Sequence, residues 1–283
     1  MLGKQEERFV MEKAYVPEHM PDYLRHFSGM EPFLEGHYLY YLKDDRLSFI
    51  GYPLDEDFCP KRLSAAVSKL SAKVKPRELR IMAPKIPEVI GYIPAGETEN
   101  DMYSLLNISP GIIRVPSKVK NMLNRAGREL ETSITQSFTM EHQRLLLKFL
   151  REKSFDEQTT NFFHLIPDYL AYSSSAYIID ARCRARGELK AYNIAAVSEG
   201  SFAFYLFNIT GDRENYVPGT SDLLLNELIK LAGEQGKRYI NLGLRINQGI
   251  QKFKAKWGAG DFHPYTFASF RIRGRFFDSF FRF

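Results

Sequence analysis

The stretch that most constrains this chain lies between residues 202 and 259, where an apolar run, a glycine-centred turn and a strongly periodic segment follow one another. In SDLLLNELIKLAGEQG, Leu223, Leu224, Leu228 and Leu231 recur at the spacing of one helix face, which predicts a helix from Ser221 to Gln235. Ser221 or Thr220 can cap its N-terminus and Gly236 can stop it. Ahead of the helix, Phe202 to Ile209 has strand composition, and a polar loop from Thr210 to Pro218 leads into Gly219. Behind it, Lys237 to Leu244 (KRYINLGL) reads as a buried strand and Asn247 to Trp257 as a second, basic helix.

Around this core the second half continues in the same style. Ala176 to Ala181 and Leu189 to Val197 have strand composition, with turn signals at Arg186-Gly187 and Glu199-Gly200, so they form an antiparallel meander with Phe202 to Ile209. A last strand, Tyr265 to Ile272, is expected to complete this sheet. The first half repeats the order more faintly. A hairpin, Tyr38 to Leu42 and Leu47 to Tyr52 turning at Lys43 to Arg46, precedes a helix Lys61 to Val74 and a strand Glu78 to Ala83, with Phe49 and Tyr205 in matching places. That similarity suggests a duplicated unit. Ser117 to Leu130 forms a basic helix after Pro110 and Pro116, and Met140 to Lys153 a further helix. The boundary falls near residue 130, giving units 1–130 and 131–283. The Pro- and Gly-rich segment from Pro84 to Asn100 reads as a surface loop or, alternatively, a substrate flap.

Composition narrows the setting more than the function. The chain has 283 residues, 44% hydrophobic and 26% charged, the balance of a globular protein rather than a disordered one, and its many Phe and Tyr favour a sheet. A net charge of +5 and pI near 9.0 suit phosphate-bearing ligands, anionic lipid or RNA without choosing among them. The start, MLGKQEERFVMEK, lacks the apolar core of a signal peptide, and no run reaches the roughly 18 apolar residues of a membrane span. Cys59 and Cys183 stand far apart with no metal or redox spacing, so no metal and a reducing cytoplasm are expected.

Chemistry has few candidates. At the turn from Val217 to Asp222, helix N-terminal amides suit a phosphate or a polarised carbonyl; Gly219 permits close approach, and Thr220 and Ser221 add hydroxyls. The plain alternative is an ordinary helix cap. In KFKAKWG, Lys252, Lys254 and Lys256 cannot share one face; a basic helix here can hold donor phosphates or stabilise an oxyanion, or it is a solvated helix with Phe253 and Trp257 packed inward. His142, His164 and His263 have no metal spacing and read as structural or exposed. Asp156-Glu157 and Asp212 with Glu214 read as loop charges, a general base among them being the alternative. Tyr177, Tyr192 and Tyr205 sit on predicted strands, where core packing is the default.

Taken in order, Gly219-Thr220-Ser221-Asp222-Leu223-Leu224, Tyr239-Ile240-Asn241-Leu242-Gly243 and Lys252-Phe253-Lys254-Ala255-Lys256-Trp257-Gly258 resemble the C-terminal catalytic domain of lysylphosphatidylglycerol synthases and, more remotely, the Fem-type aminoacyl-tRNA-dependent transferases. The resemblance is strongest over Ala176 to Phe270, and SKVKNMLNRA is similar to the helix joining two GNAT units in those families. It implies an α/β (α+β) chain of two tandem GNAT-like, acyl-CoA N-acyltransferase-type domains, each a mixed, mostly antiparallel sheet flanked by helices. The strand before Gly219 would splay from the strand after it to make a donor cleft in the second domain.

The same resemblance implies an acyl or aminoacyl transferase acting on an amine or hydroxyl acceptor, a lipid head group among the options. Lys254 would stabilise the transition-state carbonyl, and Gly219, Thr220, Ser221, Lys252, Phe253 and Lys256 would bind the donor, acyl-CoA or aminoacyl-tRNA. The glycine-rich pyrophosphate loop of acetyl-CoA-dependent GNAT enzymes is absent, since Gly211 and Gly219 are too far apart. The other reading is a catalytically silent module that binds RNA or a membrane surface. Partners would then be tRNA or anionic lipid, the latter through the tail RIRGRFFDSFFRF, which otherwise docks on its own domain or a partner; the location would be the cytoplasm or the inner membrane face.

Overall fold

The structure, a computed structural model, describes residues 1–112, 115–211 and 216–273. The chain forms two compact units, one of residues 31–100 with the chain from Pro264 onward, the other of residues 2–30 and 101–263. In chain order, helices α1 (Lys4–Lys13) and α2 (Pro21–Ser28), joined through a 3-10 turn at Pro17–His19, open the second unit. The first unit follows with β1 (Glu31–Glu35), β2 (Tyr38–Lys43), β3 (Arg46–Ile50), α3 (Pro60–Val74), β4 (Glu78–Ala83) and β5 (Tyr92–Pro94). The chain then supplies the second unit with β6 (Glu99–Asn107), α4 (Ser117–Glu129), β7 (Leu130–Thr135), α5 (Met140–Lys153), α6 (Glu157–His164), α7 (Ile166–Tyr172), β8 (Ala176–Cys183), β9 (Leu189–Val197), β10 (Phe202–Thr210), α8 (Thr220–Glu234), β11 (Tyr239–Leu244) and α9 (Gln248–Lys256). The last element, β12 (Gly260–Ile272), carries the chain back to the first unit.

Each unit is a mixed, mostly antiparallel sheet. In the first, β1, β2, β3, β4 and β12 are neighbours in that order, with β5 on β12, and only β3 and β4 run parallel. Helix α3 makes the crossover between that parallel pair. Pro60 starts it, and Leu63, Val67 and Leu70 bury one stripe against Phe49, Leu79 and Ile81. In the second unit the order is β6, β11, β10, β9, β8, β7, and here only β10 and β11 are parallel, with α8 between them.

The two crossovers differ where it matters for a cleft. β3 and β4 stay paired from Arg46 to Ile50, and beyond them the Gly51 amide still donates to the Met82 carbonyl at 2.7 Å. A side chain at Gly51 would meet the Ala83 Cβ at 2.6 Å, so this pair is sealed. β10 and β11 pair only at Phe202, Ala203 and Phe204 with Tyr239, Ile240 and Asn241, and part after that. Two irregularities accompany the parting. Leu206 is an extra residue in β10 between Tyr205 and Phe207, and β11 bulges against β6 between Asn241 and Leu244.

The last strand, expected over residues 265–272, is present, and within the first unit β12 pairs with β4 and β5. Alternating apolar residues define a strand and one face of it; they leave its neighbour open. The Pro84 to Asn100 segment also contains order, since β5 lies within it. Asp212, Glu214 and the tail beyond Arg273, with Arg275, Phe276 and Arg282, lie outside the described residues.

Candidate active site in the second unit

The turn before α8 is built around the packing of α4. Gly219, not Thr220 or Ser221, is the N-cap, with φ 94°, and a Cβ there would come within 2.5 Å of the Met122 carbonyl oxygen. Its freedom therefore serves helix contact. Thr220 is buried and its hydroxyl donates back to the Val217 carbonyl at 2.6 Å, while Ser221 Oγ accepts from Asn208 Nδ2 at 3.1 Å. Gly219→Ala is expected to cost about 1–3 kcal/mol of stability through the left-handed backbone alone, with more where α4 is pushed away; urea unfolding midpoints measure it.

Asp222, in the first turn of α8, is a buried carboxylate that sequence reasoning did not single out. It accepts from Trp257 Nε1 at 2.9 Å and from Lys256 Nζ at 2.8 Å, tying the α8 N-terminus to the end of α9. It already supplies the negative charge that the helix dipole attracts. The Thr220 hydroxyl is turned inward as well, so both of these polar side chains are engaged within the protein.

Helix α9 sends its three lysines to three destinations. Lys252 is exposed, Lys256 pairs with Asp222 and lies over the Phe253 ring at 5.2 Å, and Lys254 is buried. Phe253 and Trp257 pack into the core with Leu242 and Ile240. Lys254 Nζ donates to the Gly243 carbonyl at 2.8 Å and to the Leu244 carbonyl at 2.5 Å, both at the end of β11 where it has left β10. Burial brings its ammonium down to about 7, against the opposing pull of Asp101, with Arg245 adding to the depression. Asp101 in turn accepts from the Arg245 and Ile246 amides at 3.1 and 2.9 Å and fixes the turn after β11. Two of the three ammonium protons are thus committed to the strand end, and the third has no acceptor among the described residues.

On the other face of the sheet the N-terminal segment covers the same strands. Asn241 Nδ2 donates to the Tyr15 carbonyl at 2.9 Å, and Asn241 Oδ1 accepts from the Gly243 amide at 2.8 Å. The 3-10 turn that follows carries Glu18, whose carboxylate accepts from the Tyr103 hydroxyl at 2.7 Å. Tyr103 lies opposite Leu244 in the β6–β11 register. Burial raises the Glu18 carboxyl above the usual range, and the Tyr103 hydrogen bond opposes that rise; Tyr23, from α2, is close enough for Glu18 to raise its phenol further. The sequence names Asp222 only as part of its turn and motif and gives no sign of Glu18, because the letters do not tell a buried carboxylate from an exposed one.

The remaining candidates fall into structural roles. His142 is buried; its Nδ1 accepts from the Thr139 amide at 2.9 Å, so Nε2 carries the proton directed at Asp180, 2.8 Å away. Arg182 holds the other Asp180 oxygen at 3.1 Å. His164 is exposed at the end of α6, and Asp156 caps that helix by accepting from the Thr159 amide. Burial lowers His263, which packs on Phe262 and Tyr15. Tyr192 is core; Tyr177 accepts from Gln235. Among the described residues no group of three or more metal-ligating side chains gathers, and no helix is long and apolar enough to cross a membrane.

No family model and no curated protein matches this sequence. Solved structures do. The C-terminal domain of an Agrobacterium fabrum protein assigned as a lysylphosphatidylglycerol synthetase superposes with TM-score 0.63 at 14% identity, covering 95% of this chain and 92% of that one. L-PGS from Bacillus licheniformis gives TM-score 0.61 at 14% identity, over 97% and 93%. FemX gives 0.61 at 11%, over 94% and 96%. The chain has the GNAT-type fold of these proteins. The likeness agrees with the motif resemblance in the second half and extends it along nearly the whole chain. Within that GNAT-type fold, Lys254 meets the end of β11 from α9, and Glu18 accepts from Tyr103 of β6, the residue opposite Leu244 of β11.

Proposed function

We propose that this chain is an aminoacyl transferase that moves an aminoacyl group from an activated carrier, an aminoacyl-tRNA, to an amine or hydroxyl acceptor. The observation that carries the reading is the buried Lys254 ammonium held against the end of β11 where β10 departs. A charge placed there, in a site shielded from water, favours the oxyanion that forms when an acyl ester is attacked. The occupied α8 turn, with Asp222 bonded to Lys256 and Trp257, argues against acetyl-CoA. The motif resemblance and the likeness to lysylphosphatidylglycerol synthetase and FemX favour an aminoacyl donor.

In this reading the acceptor N–H or O–H loses its proton to Glu18 as the nucleophile bonds to the ester carbonyl carbon. Lys254 stabilises the oxyanion, the C–O bond to the carrier ribose breaks, and the proton returns to that ribose oxygen. Gly219, Thr220 and Ser221 shape the turn beside the donor, Phe253 and Lys256 line its α9 side, and exposed Lys252 meets the tRNA backbone. In this reading the chemistry belongs to the second compact unit, residues 2–30 and 101–263.

The test is transfer itself. The protein is incubated with tRNA charged with radiolabelled amino acids and, in separate arms, phosphatidylglycerol vesicles, soluble amines or acetyl-CoA as the competing donor. Label passing from tRNA to an acceptor is the expected result. Binding to tRNA or vesicles that falls steeply with salt, ignores the acyl group and yields no transfer would replace the enzyme by a binding module.

A further inference from the structure

β10 and its neighbour β9 carry a group of polar atoms that the mechanism above does not use. Inserting Leu206 places Leu206 and Phe207 toward the same side, so Tyr205 and Asn208 become successive side chains on the face that meets α8. Asn208 lies directly opposite Asn193 in register, and Tyr205 opposite Ala195, a small residue. Asn208 gives its amide N–H to Ser221 Oγ, and Asn193 gives its own to the Phe207 carbonyl at 2.7 Å, the carbonyl beside the bulge. Both side chains are thereby oriented with their oxygens left over. Asn193 Oδ1, Asn208 Oδ1 and the Tyr205 hydroxyl are buried without a hydrogen-bond partner among the described residues, and Asn193 is wholly shielded from solvent.

Three buried oxygens on one face of two paired strands are costly to leave unmatched, and all three can accept. A single group with three N–H donors is an ammonium. Burial, and after it the charge of Asp222, raises the Tyr205 phenol, so its hydroxyl stays neutral and its oxygen can accept. Tyr205 and Asn208 sit on β10 beyond its last pairing with β11, and Asn193 faces Asn208 from β9. We propose that Asn193, Asn208 and Tyr205 form a subsite for the free α-ammonium group of the donor's aminoacyl moiety. The inference rests on the aminoacyl-transfer reading and narrows its substrate class to donors with an unblocked α-amine. A fatty acyl or acetyl chain offers these oxygens nothing.

Affinity for stable donor mimics separates this proposal from turnover. The probes are 3′-aminoacylamino-3′-deoxyadenosine and its N-acetyl derivative, titrated calorimetrically into the full chain. The free amine is expected to bind about 10- to 100-fold more tightly, the range of a charge-assisted hydrogen bond. Asn208→Leu and Tyr205→Phe should each shrink that preference toward unity, while Asn208→Asp, which keeps an acceptor, should preserve it. Equal affinity of wild type for the two probes, no binding of either, or a preference that survives Asn208→Leu combined with Tyr205→Phe would overturn the subsite. Preferential binding without transfer from charged tRNA would leave the subsite standing and remove the enzymatic reading.

Discussion

Glu18→Gln is expected to slow transfer by about 100- to 10,000-fold, the usual contribution of a positioned general base, while leaving the fold as stable as before or more so. The stability half follows from the sign of its shift. Burial raises the Glu18 carboxyl, so the native state binds its proton more tightly than the unfolded chain does. Keeping it ionised therefore costs nothing below the unfolded value of 4.5, and the cost grows as pH rises through the raised native value. Gln escapes that cost and still accepts from Tyr103. Thermal unfolding at acid and neutral pH, run beside single-turnover transfer, measures both effects. A loss of stability equal to the loss of rate would make Glu18 a packing residue.

Lys254→Gln should lower transfer by about 100- to 1,000-fold, as removal of one oxyanion donor does. Gln keeps an N–H₂ for the Gly243 and Leu244 carbonyls, so the strand end is retained; Lys254→Met, which leaves both carbonyls bare, should also lose stability. With the ammonium brought to about 7, wild-type transfer falls as pH rises past that value, because the neutral amine no longer favours an oxyanion. Lys254→Gln lacks that alkaline decline. The stability sign is opposite in direction: the burden of burying the ammonium is fully present below about 7 and is relieved between there and the ordinary 10.5, so wild type gains stability with pH over that interval and Lys254→Gln does not gain it from this residue.

How far the letters went can be judged element by element. Helix α8, strands β8 to β11 and the basic helix α9 were legible because their apolar residues repeat at 3.6 or 2 and are closed by Gly or Pro. The FAFYLFNIT run did not reveal its bulge, because apolar residues occupy both faces and hide the slip at Leu206. Lys254 was legible as a candidate only through its motif; that it alone of the three lysines is buried depends on which face of α9 meets Leu242. Glu18 sits between two prolines in a segment without periodicity, and its burial arises from long-range packing against Tyr103. Gly219 is legible as a point of close backbone approach, but the neighbour that requires it is Met122 of α4.

The return of β12 to the first unit also governs how the protein can be made. Residues 31–100 leave the ribosome early, yet β4 has no partner on one side until Thr266 to Arg271 have been synthesised. That edge, with its row of open amides and carbonyls, must wait through more than half the chain, a long interval in which it could pair with a neighbouring nascent chain. The first unit is therefore the last to be completed, and shortening the chain after His263 would unmake a sheet that begins at residue 31.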